Sequence, residues 1–279
     1  MKISVASGKG GTGKTTIAVN LALSLGSDVQ YVDCDVEEPN GHIFIKPNIL
    51  TTETVGTPIP VVDLSKCTYC GKCSEICEFN AIVVVKNNVL VFPELCHSCA
   101  GCWLVCPHGA ISKTSRETGV VETGSINGLE FVHGRLRIGE SMSPPLIRAV
   151  KNRMNRAKTV IIDAPPGTSC PVIEAIKTSD YIVLVTEPTP FGYNDLKLAV
   201  DMVRQLKIPF GVIINRSDIG DNVVKKYCQN EHIPILLEIK SDRTIAEAYS
   251  RGMPMVELSP EYRKIFMQLY QDIERSVGV

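Results

Sequence analysis

The chain has 279 residues, of which 44% are apolar and 21% are charged, and its formal net charge is −1. This composition supports a large buried core, so it excludes a disordered protein and favours one sizeable domain that carries a smaller insert. A net charge near zero gives no general attraction to nucleic acid or anionic lipid, and no basic patch is visible in the sequence. We therefore expect no nucleic-acid partner.

The amino-acid sequence also lacks the signals of export and of membrane insertion. No apolar run is long enough to span a membrane, and the first residues lead into a glycine-rich loop instead of a signal peptide. We expect a soluble, cytoplasmic protein without stable membrane insertion. In a reducing compartment, clustered Cys-x-x-Cys spacing is typical of metal binding and not of disulfides.

Apolar strands alternate with helical patterns along the chain. Residues 3–7 form a short apolar run, and Lys14–Leu25 has apolar residues at helical spacing, with Gly26 as its stop. Further strands are predicted at 29–32, 159–162, 181–185 and 210–214, and helices at 146–157, 194–206 and 222–230. Continuous apolar strands separated by helices indicate an α/β fold with a mostly parallel sheet that is buried on both faces.

Two further elements are predicted outside this alternation. Residues 130–138 favour a hairpin that turns at His133-Gly134. The last helix, Pro260–Val277, carries an apolar stripe and a polar face of mixed charge. Because that face lacks the basic bias of a lipid-binding helix, we expect the stripe to pack on the core.

A phosphate-binding loop is indicated at residues 8–15, which read Gly-Lys-Gly-Gly-Thr-Gly-Lys-Thr between a strand and a helix. Its glycines let successive backbone N–H groups point into one concavity, and the helix adds its positive N-terminal end. We predict that Lys14 neutralises the β and γ phosphates and that Thr15 ligates Mg²⁺. A chance glycine-rich turn is the alternative, but it does not account for the flanking strand and helix. The predicted phosphate-binding residues are Gly8, Gly10, Gly11, Thr12, Gly13, Lys14, Thr15 and Thr16.

Two runs of four cysteines share the spacing C-x2-C-x2-C-x3-C. In two-cluster ferredoxins, three cysteines of one run hold a [4Fe-4S] cluster and the fourth ligates the other cluster. Zinc is the alternative metal, although zinc sites usually pair two Cys-x-x-Cys units at a distance. The predicted ligands of cluster I are Cys67, Cys70, Cys73 and Cys106. Those of cluster II are Cys96, Cys99, Cys102 and Cys77.

These cysteines lie in a segment that interrupts the α/β pattern. We predict an inserted small α+β ferredoxin-like domain at residues 58–115, between ATPase segments 1–57 and 116–279. One departure from the bacterial ferredoxin pattern is that Glu78 follows Cys77, whereas Pro107 follows Cys106. The remaining cysteines are interpreted as core residues or as incidental, and they are Cys34, Cys170 and Cys228.

The loop is also similar to a known family. Residues 9–16 resemble the deviant phosphate loop of the MinD, ParA, Mrp and nitrogenase iron protein group of P-loop ATPases. The resemblance implies a doubly wound P-loop ATPase fold and an ATP-bound homodimer in which Lys9 reaches the partner's nucleotide. It identifies residues 32–35 as switch I, where Asp35 would orient the attacking water.

The same resemblance identifies residues 161–167 as Walker B and switch II. It implies that Asp163 holds Mg²⁺ and that the Gly167 amide senses the γ-phosphate. Aspartates and glycines at the carboxyl ends of parallel strands line the ligand crevice of such sheets, which supports these assignments independently. Asp33 has two interpretations, because it either belongs to this crevice or merely ends its strand.

The choice of base depends on residues 215–218, Asn-Arg-Ser-Asp, which follow another predicted strand. They superficially resemble the guanine-reading motif of GTPases. In the MinD group, however, the asparagine that matches Asn215 contacts adenine, so the resemblance favours ATP.

The whole chain resembles a subset of the Mrp/MinD ATPases that carry an inserted two-cluster ferredoxin domain. This resemblance predicts that an ATP-driven dimer switch gates electron transfer to a redox partner through two [4Fe-4S] clusters. The alternative function is an ATP-dependent carrier that delivers iron-sulfur clusters or metal to a cofactor-assembly partner. A partition-type ATPase that acts on DNA or membrane is disfavoured by the lack of a basic surface.

Overall fold

The computed structural model describes residues 1–278 of the chain. In chain order the strands are β1 (Lys2–Ala6), β2 (Val29–Asp33), β3 (Asn48–Val62), β4 (Ile82–Val85), β5 (Asn88–Val91), β6 (Ile111–Ile126), β7 (Leu129–Leu136), β8 (Thr159–Asp163), β9 (Tyr181–Thr186), β10 (Phe210–Asn215) and β11 (Ile235–Ile239). The helices are α1 (Lys14–Leu25), α2 (Gly41–Ile45), α3 (Lys72–Glu75), α4 (Gly101–Leu104), α5 (Pro144–Lys151), α6 (Cys170–Ile176), α7 (Pro190–Leu206), α8 (Val223–Asn230), α9 (Arg243–Ser250), α10 (Met255–Leu258) and α11 (Pro260–Val277).

A 9-stranded sheet organises the molecule, with the strand order β11-β10-β9-β1-β8-β2-β7-β6-β3. The strands from β11 to β7 are parallel, and β6 runs antiparallel to both β7 and β3. Two apolar cores cover the sheet, one containing Ile162 and Leu184 and the other Ile161 and Val183. The alternation of neighbouring residues between the two cores confirms the α/β fold with a mostly parallel sheet buried on both faces.

Most predicted elements are confirmed, with small shifts at their ends. The four later apolar runs are strands, and each extends one residue further at its carboxyl end than predicted. Helix α7 begins at Pro190, earlier than predicted, because the Thr189 hydroxyl caps it by accepting from the Gly192 N–H at 3.0 Å. Helix α5 ends at Lys151 instead of continuing to residue 157. In α11 the predicted stripe is buried in the core, as Phe266, Leu269 and Ile273 show.

The predicted hairpin turn at His133-Gly134 is wrong. Both residues lie inside β7, which pairs with β2 on one side and with β6 on the other. Gly134 serves close packing, because a Cβ there would lie 2.7 Å from a methyl carbon of Val36. The turn between β6 and β7 lies at Asn127-Gly128, where both residues have positive φ, as a tight hairpin requires.

Strands β3 and β6 form a long antiparallel ribbon that carries the cysteine segment. They pair from Asn48 opposite Ser125 to Val62 opposite Ile111. Strand β7 pairs with β6 only from Gly119 onward, so residues 111–118 of β6 and the facing part of β3 extend beyond the sheet. Residues 63–110, with the β4–β5 hairpin and helices α3 and α4, lie at the end of this ribbon. The predicted insert limits, 58 and 115, face each other within it.

The base of the ribbon is fixed to the body by buried polar contacts. Arg116 on β6 forms an ion pair with Glu140, and their side chains are only 9% and 0% exposed. Thr118 is buried, and its hydroxyl donates to the Val55 carbonyl at 3.0 Å. The ladder also shifts register next to Val55. The ribbon therefore leaves the sheet at a defined and well-packed point.

Candidate nucleotide site and cysteine cavities

A cavity of about 670 Å³ opens at the carboxyl ends of the central parallel strands, beside the glycine loop. The loop is shaped for close approach, since Gly13 has φ 97° and a Cβ there would lie 2.5 Å from Asn215 Nδ2. That amide donates to the Thr12 carbonyl at 2.9 Å, which joins the loop to the end of β10. The glycine loop and the N-terminus of α1 thus fit a phosphate group.

The structure brings most of the predicted nucleotide residues to this cavity. Those that line it are Gly10, Gly11, Gly13, Lys14, Thr15, Thr16, Asp35 and Asn215. The other predicted residues are not part of its lining, and they are Gly8, Lys9, Thr12, Asp163 and Gly167. Gly8 has a packing role, because a Cβ there would lie 2.2 Å from the Asp195 carbonyl oxygen.

Lys14 is a buried cation among three carboxylates. Burial lowers its pKa, while the nearby Asp163, Asp35 and Asp33 act in the opposite direction. Burial also raises the pKa of Asp35 to about 7, helped by the neighbouring Asp163 charge and opposed by Lys14. Repulsion among these carboxylates disfavours their charged forms, and a divalent cation bound beside them would stabilise those forms.

Asp163 is held by a residue that sequence reasoning missed. The hydroxyl of the fully buried Tyr31 donates to Asp163 Oδ2 at 2.9 Å. The other oxygen, Oδ1, is buried and has no hydrogen-bond partner among residues 1–278. Burial raises the pKa of Asp163, with the Thr15 hydroxyl and Lys14 acting against it. A buried carboxylate oxygen without a donor, near the Thr15 hydroxyl, fits a Mg²⁺ ion, for which both groups provide oxygen ligands.

Asp33 holds the backbone that follows the carboxyl end of β2. Its Oδ1 accepts the Asp35 N–H at 3.1 Å, and its Oδ2 accepts the Gly41 N–H at 3.0 Å. Both of its oxygens are thus committed to backbone donors. This geometry agrees with the interpretation of Asp33 as a strand-end residue.

The second loop lysine faces its own chain. Lys9 Nζ lies 3.9 Å from Glu187 Oε2, and the lysine side chain is 31% exposed. Glu187 is buried and also accepts from Arg216 at 2.8 Å. Glu187 is a second residue that the sequence patterns did not single out.

Beyond the glycine loop the cavity is lined by Asn215, Arg216 and eight residues of the segment 239–249, among them Asp242. The guanine-like aspartate of this region, Asp218, does not line the cavity. Its carboxylate instead accepts the Ser241 N–H at 2.6 Å. Asp218 is thus engaged by a backbone donor outside the cavity lining, which agrees with the preference for ATP.

Each predicted cluster set lines its own cavity in the segment at residues 63–110. One cavity is lined by Cys67, Cys70, Cys73 and Cys106, and the other by Cys77, Cys96, Cys99 and Cys102. None of these cysteines forms a disulfide bond. Each cavity thus combines three cysteines of one run with the last cysteine of the other run, as the predicted ligand sets require.

Local backbone geometry repeats between the two runs. The Ala81 N–H points to Cys77 Sγ at 3.3 Å, and the Ala110 N–H points to Cys106 Sγ at 3.3 Å. Such donors stabilise thiolate sulfur and fit an iron-sulfur group. Within residues 1–278 no group of three or more His, Cys, Asp or Glu side chains is placed to hold a single metal ion, so the cavities are defined by their cysteine lining.

A glycine loop between a strand and a helix, closed around a buried lysine, defines a P-loop nucleotide-binding protein. Residues 3–255 match the family model of the CobQ/CobB/MinD/ParA nucleotide binding domain. The chain belongs to this family, and so to the MinD/ParA-like P-loop ATPases.

Individual relatives and structures agree with this assignment. The chain is 34% identical over 227 residues to the uncharacterized protein MJ0578 of Methanocaldococcus jannaschii, a match that covers 79% of this chain and 80% of the relative. The iron-sulfur cluster carrier protein of Pyrococcus horikoshii is 25% identical, and the match covers 98% of this chain and 85% of that protein. The septum site-determining protein MinD of Pyrococcus horikoshii, complexed with Mg-ADP, superposes with a TM-score of 0.59 at 19% identity, covering 99% of this chain and 97% of that chain. The superposition shows a shared fold.

No helix within residues 1–278 combines the length and the apolar character that crossing a bilayer needs.

Proposed function

We propose that this protein is an ATPase whose nucleotide state controls electron transfer through two [4Fe-4S] clusters. The observation that carries the proposal is that four cysteines line each cavity and come from both runs. When bound, such clusters supply one-electron redox chemistry. Four thiols per site complete the ligand set, which favours resident clusters over clusters in transit.

On the nucleotide side, the residues of the chain have distinct proposed roles. Lys14 and the loop amides bind the phosphates, while Thr15 and Asp163 hold Mg²⁺. Asp35 is the group that orients water for attack on the γ-phosphate. The Gly167 N–H, which donates to the Ser7 carbonyl at 3.0 Å, exchanges that acceptor for the γ-phosphate, and Asn215 contacts the adenine.

We also propose that ATP closes a homodimer, in which Lys9 leaves Glu187 and contacts the partner's nucleotide. The 3.9 Å separation of Lys9 and Glu187 and the partial exposure of the lysine support this rearrangement. Light scattering with a non-hydrolysable ATP analogue tests it. We expect a dimer that Lys9→Ala abolishes while monomer nucleotide binding persists, and a monomer at all analogue concentrations would contradict the proposal.

A chain of contacts links the nucleotide site to the ribbon. Asp33 binds the start of α2, whose His42 ring packs edge-on against His133 at a centroid distance of 5.4 Å. His133 lies opposite Asp33 in the β2–β7 ladder, and its Nε2 lies 2.7 Å from Glu122 on β6. Because β6 continues directly to the cysteine segment, a movement of switch I would reach the base of the ribbon.

Redox titration under anaerobic conditions tests the proposed control. We expect Mg·ATP to change the midpoint potential or the rate of electron transfer to an external acceptor. Lys14→Ala should abolish this effect while the iron and sulfide content stays unchanged, which separates nucleotide control from cluster loss. Identical titrations and transfer rates with and without ATP would refute gating.

The ligand sets can be tested separately by single cysteine substitutions. Cys106→Ser and Cys77→Ser should each perturb the cluster whose other ligands lie in the opposite run. Electron paramagnetic resonance of the reduced protein distinguishes this crossed pattern from two independent runs, in which each substitution would perturb the cluster of its own run.

A second candidate function is an ATP-dependent iron-sulfur cluster carrier. The observation that favours it is that relatives from Pyrococcus horikoshii, Aquifex aeolicus and Pyrococcus abyssi are named iron-sulfur cluster carrier proteins. Incubation with an apo acceptor protein, followed by absorbance, discriminates the two functions. Cluster transfer that depends on ATP supports the carrier, whereas clusters retained through many turnovers support electron transfer.

A further inference from the structure

A second large cavity lies at the opposite edge of the sheet from the nucleotide site. Its volume is about 720 Å³, and it is formed where β1, β8 and β9 begin and where α5 and α6 end. Its charged lining consists of Lys2, Arg148, Lys151, Arg156, Lys158, Lys177, Glu174 and Asp180. The lining thus has six cations and two carboxylates, an excess of four positive charges in a chain whose net charge is −1.

The two carboxylates do not neutralise this set. Glu174 pairs with Arg148 at 3.3 Å and with Lys177 at 3.0 Å, and Asp180 lies 4.0 Å from Lys2. These ion pairs leave Lys151 and Arg156 without a carboxylate partner within the described lining of the cavity. Lys158 pairs with Glu130, which lies outside the lining.

Lys151 provides a buried anchor at the centre of this set. The residue is only 8% exposed, and its ammonium donates to the Glu174 and Ala175 carbonyls at 2.6 and 2.7 Å. A lysine ammonium has three donors, so one remains for a ligand. Burial lowers the pKa of Lys151, with Cys34 and Glu174 acting against it. An anion in the cavity would therefore stabilise its charged form.

We propose that this cavity binds a small oligoanion that carries two or more phosphate or carboxylate groups. The concave shape and a volume of about 720 Å³ fit a small ligand, since binding pockets typically measure about 300–1,000 Å³. Arginine and lysine donors arranged around a buried ammonium are the chemistry that recognises such groups. The site is distinct from the nucleotide cavity and is independent of the proposed electron transfer.

The test uses the anaerobically purified full-length protein with its nucleotide site saturated by ADP. Isothermal titration with sodium tripolyphosphate, and separately with citrate, measures binding at the second cavity. We expect saturable 1:1 binding of at least one probe. The outcome for each probe distinguishes a phosphate-bearing ligand from a carboxylate-bearing one.

A matched pair of variants assigns the binding to the cavity. Arg156→Gln/Lys177→Gln removes two lining cations, whereas Lys226→Gln/Lys264→Gln removes two exposed cations on α8 and α11. We expect the first pair to weaken binding about tenfold or more, because charge-assisted contacts are lost, and the second pair to leave it unchanged. Equal weakening by both pairs, or no saturable binding, would overturn the proposal. Tighter binding of a short DNA duplex than of either probe, with the same variant dependence, would also overturn it.

Discussion

Tyr31 determines how Asp163 is presented to the phosphate loop. Its hydroxyl donates to Asp163 Oδ2, while Asp163 Oδ1 has no hydrogen-bond partner among residues 1–278. Tyr31→Phe removes this donor, so we expect the pKa of Asp163 to rise further and Mg²⁺ to bind more weakly. The loss of a hydrogen bond to a charged group costs about 1.5–3 kcal/mol. The acid limb of the pH profile of Mg²⁺-dependent ATPase activity should therefore move to higher pH.

Tyr270→Phe is the matched control for this substitution. Its hydroxyl bonds to Thr159 at 3.1 Å, at the other end of β8 from Asp163. This variant should leave the pH profile and the Mg²⁺ requirement unchanged. A profile that is the same for both variants and the unmodified protein would exclude a positioning role for Tyr31.

The burial of Asp35 predicts how the stability of the folded protein changes with pH. Its pKa is about 7 in the folded nucleotide-free protein, against about 3.9 in an unfolded chain. Between these values only the folded state keeps the proton, so its contribution to stability is full below about pH 4 and is lost as pH rises through about 7. Asp35→Asn should therefore stabilise the protein at pH 8 relative to pH 5, by about 1–2 kcal/mol after allowance for partial exposure.

Chemical denaturation of both proteins at the two pH values measures this difference. The quantity of interest is the difference in the free energy of unfolding between variant and parent, compared at the two pH values. All other titrating groups contribute equally to both proteins and cancel in this difference. A pH-independent difference would show that Asp35 ionises normally in the folded protein.

Residues in the phosphate loop could be predicted because their spacing is local and their chemistry is contained in one loop. The residues that hold the site residues in position could not be predicted. Tyr31 and Asp163 are 132 positions apart, and nothing in an apolar strand marks one tyrosine as the partner of a distant carboxylate. Glu187 was missed for the same reason. Asn127-Gly128, in contrast, is a strong local turn signal that was overlooked in favour of His133-Gly134.

At the scale of elements, the short helices α3 and α4 are preceded by different residues, glycine in one cysteine run and alanine in the other, and both residues have the same backbone conformation. Gly71 has φ 82°, and Ala100, at the matching position, has φ 72°. A left-handed conformation costs a residue with a Cβ about 1–2 kcal/mol, and it costs glycine nothing comparable. Ala100→Gly should therefore stabilise the segment, and Gly71→Ala should destabilise it by a similar amount.

Hydrogen exchange of residues 63–110 in the iron-loaded protein measures both effects. Steric conflict does not complicate the comparison, because the nearest atom to a Cβ at Gly71 would be Glu75 Oε1 at 3.7 Å. Equal protection in both variants would mean that the positive φ at these positions is not a source of strain.

The elements of the central sheet were predictable because parallel strands buried on both faces are continuous apolar runs. The ribbon was not. Strand β3 is exposed along most of its length and β6 is polar over residues 112–117, so neither has the apolar pattern of a core strand. Strand β3 is held by its pairing with β6, and β6 is held by its pairing with both β3 and β7. Local periodicity in the sequence does not reveal pairing between distant segments.

At the scale of the whole molecule, the Arg116–Glu140 ion pair fixes the base of the ribbon to the body of the protein. Arg116→Met leaves the Glu140 carboxylate buried without its cation, which we expect to cost about 3–5 kcal/mol. The same change should reduce the effect of ATP on the cysteine segment, because the base of the ribbon is then free to move independently of the body. Thermal unfolding and anaerobic redox titration measure the two effects.

Arg153→Met provides the control on the same ribbon. Arg153 pairs with Glu53 of β3, but both side chains are largely exposed, at 44% and 49%. Exposed pairs contribute about 0–1 kcal/mol, so this variant should behave as the parent in both measurements. Similar losses in the two variants would mean that burial at the ribbon base has no special mechanical role.

The second cavity contradicts the expectation that the sequence contains no basic patch. Four of its six cations, Arg148, Lys151, Arg156 and Lys158, lie within residues 148–158, whereas Lys2 and Lys177 join them only through the order of the parallel strands. A local cluster of cations predicts a charged surface, but the concave site also needs strand ends that are distant in the sequence.

The pairing of β3 with β6 means that the polypeptide enters and leaves the cysteine segment at adjacent points, with Val62 opposite Ile111. Replacing residues 63–110 by a tight turn would convert the ribbon into an ordinary hairpin without disturbing the order of the parallel strands. Removal or exchange of the cysteine segment would thus be a single local change at the end of the ribbon, and we expect the ATPase body to fold without it.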